Sequence, residues 1–180
     1  MKGYIKKLLR EGLLSEVTDE IYELIEREYS SSRILMSKND EIQFRPVDQS
    51  STPRHKPMGL WYGIGTSWLD WVRGEMPEWE AENVFLLDID ESKIIKITND
   101  EELLAFNDEY SEKNTYGGSF LTGNAPINWV KVAEHYDGIE IAPYLWNMRM
   151  DDRVGWYYSW DVASGCIWGS GVIKKIERIN

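Results

Sequence analysis

Four of the nine tryptophans, Trp61, Trp68, Trp71 and Trp79, fall in the single stretch GLWYGIGTSWLDWVRGEMPEW, and three more, Trp156, Trp160 and Trp168, crowd GWYYSWDVASGCIWGSG near the C-terminus. Tryptophan is large and rigid and carries one N–H that wants a partner. Clusters of it beside Gly, Ser and Asp therefore suit either a thick core or a cleft that grips a flat ligand. For any single tryptophan the core is the commoner fate. The aromatic-and-glycine segments are where function is to be sought.

The 180-residue chain is long enough for one domain with a proper core. We expect a helical lead over residues 1–30 and a single domain over 31–180. No apolar run reaches the roughly 18 residues of a membrane helix, and MKGYIKKLLREGLLSE is broken by charges too often for a secretory leader, which points to a cytoplasmic protein. Cys166 is the one cysteine, and His55 and His135 are the only histidines, so an internal disulfide is excluded and a transition-metal site disfavoured. The net charge of −11 repels phosphate backbones and disfavours generic nucleic-acid binding.

Residues 3–29 read as helix in two pieces broken near Gly12, with Val17, Ile21, Leu24 and Ile25 on one face. Residues 33–36, 41–44 and 58–64 read as strands, with a proline-bearing loop over 45–57. Trp68, Trp71 and Val72 have helical spacing after Thr66 or Ser67 as cap. Residues 84–89 and 93–97 form two strands around AspGluSer, and Asn99 with Glu102 opens a helix in the manner of a capping box. A long irregular segment spans 111–126, a length usual for binding loops or for disorder. A helix at about 127–136, a strand at 138–141, and closing strands around 154–162 and 165–176 complete the chain. Strands interleaved with short helices, without regular alternation, indicate α+β.

Three segments could carry chemistry. In the first, a strand running from Gly59 through Trp61, Tyr62, Gly63 and Gly65 to Thr66 and Ser67 brings backbone N–H groups and two hydroxyls to a helix N-terminus, suited to a phosphate or a carboxamide. The spacing matches neither the dinucleotide glycine fingerprint nor the P-loop, and a plain glycine turn with a hydroxyl cap explains it equally well. In the second, Asp137-Gly138 makes a turn and alternation sets Ile139 and Ile141 opposite Glu140, a solvent-facing residue or a carboxylate offered to a sugar hydroxyl. In the third, alternation places Trp156, Tyr158 and Trp160 on one face of a hairpin, and Cys166, with no local base, reads as a buried inert thiol.

The strand-hydroxyl-helix pattern of Gly59 to Trp71 resembles the second motif of mono-ADP-ribosyltransferases. The paired strands 84–89 and 93–97, the helix after them and TyrAspGlyIleGluIle resemble the second half of that fold, with split mixed or antiparallel sheets and short helices. The resemblance covers about residues 33–142. It implies NAD as co-substrate and an unidentified protein or other macromolecular acceptor, or water in a glycohydrolase. It makes Glu140 the catalytic glutamate that stabilises an oxocarbenium-like transition state, Thr66 or Ser67 the hydroxyl of the middle motif, and Tyr62 or Trp61 the aromatic stacking on nicotinamide. For the first motif, which grips the NAD ribose or phosphate, it offers Arg33 at the start of the opening strand and His55 in the loop before the second motif. LeuLeuArgGluGlyLeu is similar to the N-termini of many proteins of large tailed phages, which would place the protein in a host cytoplasm. The alternative is a non-enzymatic tryptophan-rich module that recognises a partner protein or a carbohydrate, since Trp and Tyr dominate binding hot spots.

Overall fold

The computed structural model describes residues 19–112 and 125–180. Short β-branched and aromatic runs become seven strands: β1 (Arg33–Ser37), β2 (Leu60–Ile64), β3 (Asn83–Ile89), β4 (Ile94–Ile97), β5 (Gly138–Ile141), β6 (Ser164–Ile167) and β7 (Ile173–Arg178). They form one mixed sheet in the order β4-β5-β6-β2-β1-β3-β7, antiparallel except for the parallel pair β4–β5. Among the described residues four α-helices accompany them: α1 (residues 19–28), α2 (Ser67–Glu75), α3 (Asp100–Tyr110) and α4 (Trp129–Ala133). The class is α+β.

One short connection fixes the shape of the sheet. Residues 90–93 carry the chain from β3, sixth in the sheet, to β4, first in it. In a flat sheet these strands would stand about 24 Å apart, five spacings of about 4.8 Å. Five extended residue steps reach only about 18 Å. The sheet is therefore curled. Its concave side is a single cluster in which Ile94 of β4 meets Ile89 of β3 and Val172 ahead of β7, together with Leu35, Tyr62, Phe85, Leu87 and Ile167.

The convex side carries two separate cores. Over β4, β5, β6 and β2, Phe106 of α3 and Trp129 of α4 join Trp156, Trp160 and Trp168, from the segments on either side of β6, in one cluster with Ile97, Ile139, Ile141 and Cys166. Over β1 and β3, Ile21 and Ile25 of α1 pack on Ile34 and Val84. Between the two cores β2 turns into α2 at Gly65, whose φ is +55° and where a Cβ would lie 2.3 Å from the Ser30 carbonyl oxygen, so only glycine fits.

Local signals explain most boundaries. At α3 the Asn99 side chain accepts from the Glu102 amide at 2.9 Å, while the Glu102 carboxylate reaches back one residue further than a capping box requires, to the Thr98 amide at 2.7 Å. Thr66 stands at the N-cap of α2, but its hydroxyl donates to Asp70 instead of capping.

Four expectations are corrected. Residues 84–89 and 93–97 both lie in strands, but they do not pair, because the link between them spans the mouth of the curl. Residues 41–44 form no strand: Ile42 and Phe44 both pack against the concave cluster, but the segment makes no ladder with a strand among the described residues. The expected strand at 154–162 is a pair of 3-10 turns, Asp152–Ser159, and Trp156 and Trp160 are buried while Tyr158 is 56% exposed. Indole burial sets this backbone, with Trp156 Nε1 donating to Asn107 Oδ1 at 3.1 Å. Helix α4 is shorter than the expected 127–136. Of the helical lead, residues 1–18 with the Gly12 break lie outside the described residues, as do 113–124 of the irregular segment.

Candidate functional site

Register brings Glu140, Gly165 and Tyr62 into one row across β5, β6 and β2, all directed to the concave side. Gly165 is the gap in that row. A Cβ there would lie 2.3 Å from both Cζ and Oη of Tyr62, so the missing side chain is what lets the phenol cross β6. Tyr62 Oη donates to Glu140 Oε2 at 2.9 Å. From β1, Arg33 Nε donates to the same oxygen at 2.6 Å and Nη2 to Oε1 at 3.2 Å, a fork-to-carboxylate pair. Glu140 is 6% exposed, so the carboxylate is neither solvated nor free.

Electrostatics match the geometry. Burial pushes the Tyr62 phenol up, and the charge of Glu140 pushes it further, so it stays a donor at neutral pH. Burial lowers the Arg33 guanidinium, but the hydrogen bond and charge of Glu140 and then Glu91 outweigh it, and the net shift is upward. The network runs on toward solvent: Arg33 Nη2 donates to Glu91 Oε1 at 2.7 Å, and Lys96 Nζ to Glu91 Oε2 at 2.6 Å.

A cavity of about 310 Å³ opens where β1 and β2 diverge. The two strands pair only at Arg33–Ile64 and Ile34–Gly63. Beyond that point β1 pairs only with β3 and β2 only with β6, so facing backbone edges at Leu35–Met36 and Trp61–Tyr62 are left without a ladder partner. Trp61, Trp68 and Trp160 wall the cavity. Lys56, 5.5 Å over the Trp61 ring, and Asp161, 3.2 Å from Lys56 Nζ, stand beside it. The Trp160 indole N–H is buried without an acceptor among the described residues. Unpaired strand edges between aromatic walls suit a flat ring bearing a donor and an acceptor, such as a carboxamide.

Of the residues singled out in the sequence, the fold joins Arg33, Tyr62 and Glu140 by direct hydrogen bonds. Trp61 points to the opposite side of the sheet from Tyr62 and lines the cavity, which Tyr62 also borders. Thr66 is held by Asp70. Ser67 Oγ donates to the Ala163 carbonyl at 2.8 Å and accepts from the Ile64 amide at 3.1 Å, tying α2 to β2 and β6. His55 follows Arg54, whose backbone pairs with Ile127 ahead of α4; it borders neither the cavity nor Glu140. Trp160 and Asp161 belong to the third segment, where they read as part of a hairpin; Lys56, Glu91 and Lys96 were missed. Only Lys96 had a local signal, as the polar residue between Ile95 and Ile97 on a strand, and its partners lie far away in sequence.

Among the described residues no group of three or more His, Cys, Asp or Glu side chains is placed to hold a metal ion, and no helix is long and apolar enough to cross a membrane. Comparison with protein-family models, with curated proteins and with solved structures found no match.

Proposed function

We propose that the protein cleaves the nicotinamide–ribose bond of NAD and transfers ADP-ribose to a macromolecular acceptor or to water. The observation that carries this reading is the convergence of Arg33 and Tyr62, from strands distant in sequence, on the Glu140 carboxylate, each with a donor within 3.2 Å of it. The split between β1 and β2 supports it too, since it leaves backbone donors and acceptors for a carboxamide between tryptophan walls. In this reaction nicotinamide departs with the electron pair of the glycosidic bond, and positive charge builds on the ribose. A carboxylate fixed beforehand by Arg33 and Tyr62 stabilises that charge without reorganising. The acceptor nucleophile then forms the new bond to ribose and loses its proton to solvent water.

The test is nicotinamide release at saturating NAD by wild type and Glu140→Gln, with near-ultraviolet circular dichroism as a check on folding. Losing about 3 kcal/mol of transition-state stabilisation slows release on the order of 100-fold. Equal rates remove Glu140 from the chemistry. The second reading, a non-catalytic binding module, is favoured by the tryptophan cavity itself, which Glu140 does not line. No nicotinamide release from either protein, together with tryptophan emission that does not change at millimolar NAD, decides for it.

A further inference from the structure

Outside the hydrogen bonds to Glu140, the charged groups at the mouth of the curl are arranged unequally. Arg33 and Lys96 reach the mouth from β1 and β4, with side chains 16% and 41% exposed. Two carboxylates answer them. Glu140 is 7% exposed in its side chain and carries the two-point contact from Arg33, whereas Glu91 is 50% exposed and projects from the short turn that links β3 to β4. Glu91 spends one oxygen on each cation, Oε1 on Arg33 Nη2 at 2.7 Å and Oε2 on Lys96 Nζ at 2.6 Å. That is how two oxygens of a phosphate would bridge a guanidinium and an ammonium. Arg33 Nη1 makes no hydrogen bond to a described residue, so the guanidinium retains donors for a third oxygen.

We propose that Arg33 and Lys96 form a phosphate-ester site at the mouth of the curled sheet, and that the Glu91 carboxylate fills it in the ligand-free chain as an internal anion which an incoming phosphate displaces. Breaking a buried carboxylate away from its partners is costly, but a half-exposed carboxylate on a turn is rehydrated as it leaves, so Glu91 is the displaceable anion and Glu140 the fixed one. In a chain of net charge −11, an internal competitor also raises the concentration at which a polyanion binds. The identification of the ligand as the diphosphate of an ADP-ribosyl group rests on the NAD reading; the phosphate site itself does not.

The experiment is calorimetric titration of the full chain with inorganic pyrophosphate and, separately, with ADP-ribose, for wild type, Glu91→Gln and Glu91→Gln/Lys96→Gln, with thermal unfolding of each as a folding control. Releasing two partly exposed ion pairs makes Glu91→Gln bind both ligands about fivefold more tightly than wild type, and the added Lys96→Gln cancels that gain. Three results overturn the proposal: Glu91→Gln binding no tighter than wild type, the double variant binding as tightly as Glu91→Gln, or ADP-ribose binding without pyrophosphate binding. Absence of heat with pyrophosphate in all three proteins overturns it as well. Nicotinamide release is measured in parallel. If it is absent while the pyrophosphate pattern holds, the NAD reading fails and the phosphate site stands; if it is present while Glu91→Gln changes nothing, the reverse follows.

Discussion

Replacing Glu140 by Gln tests how the carboxylate is held, apart from any catalysis. Oε2 receives both Arg33 Nε at 2.6 Å and Tyr62 Oη at 2.9 Å, so the amide oxygen of Gln must take that place. Its NH2 group then occupies the Oε1 position, where it meets Arg33 Nη2 at 3.2 Å, donor against donor, with Lys96 Nζ only 3.8 Å away. The flipped amide is worse, since it sets NH2 against two donors. The Tyr62 bond becomes neutral, the Arg33 Nε bond loses the charge on its acceptor, and the Arg33 Nη2 bond is lost. The full cost of breaking a buried ion pair, about 3–5 kcal/mol, is reduced because Gln keeps an acceptor and Arg33 keeps Glu91. We expect a loss of about 2–3 kcal/mol, seen as a fall of about 5–10 °C in Tm. Urea unfolding of wild type, Arg33→Met, Glu140→Gln and the double variant should give a coupling of about 2 kcal/mol between the two positions. A Glu140→Gln protein within about 0.5 kcal/mol of wild type, the range of ordinary surface changes, would refute the reasoning.

Gly165→Ala sets a Cβ 2.3 Å from the Tyr62 phenol and 2.7 Å from the Ile139 carbonyl oxygen, so it should cost about 1–3 kcal/mol by crowding. Tyr62→Leu in the same chain should recover part of that loss in urea melts; no recovery would place the strain elsewhere. Hydrogen bonds from Lys96 and then Arg33 hold the Glu91 carboxyl at about 2, below its ordinary value of 4.5, so its contribution to stability is complete above about 4.5 and is lost as pH falls toward about 2. The pH dependence of urea midpoints should therefore be shallower in Glu91→Gln across that window, and parallel curves would contradict the pairing. Cys166 is fully buried and its thiol is pushed up by burial, so iodoacetamide should label it only on unfolding, and rapid labelling of the native chain would disprove that burial.

Local sequence was enough to locate most elements, because strand alternation, helical spacing and caps act over a few residues. Leu103 and Phe106 behind Asn99, or Ile139 and Ile141 around Glu140, show their buried side by period alone. Alternation singled out Glu140 on its strand, whereas Arg33 and Tyr62 were marked by the resemblance to mono-ADP-ribosyltransferases. Their meeting could not be read there. It depends on β6 entering the sheet between β5 and β2, on the absence of a side chain at Gly165, and on a four-residue link that forces the sheet to curl. Glu140 could equally have been a solvated strand residue, and only pairing across 78 and 107 positions made it a buried acceptor. The GWYYSWD segment failed as a strand for a related reason: tryptophan alternation mimics a strand, but indoles buried on α3 and α4 dictated 3-10 turns. Residue type and spacing determined which side chains were available for binding or chemistry. The partners of each, its exposure, and the cavity between β1 and β2 were decided by long-range register, which no local pattern encodes.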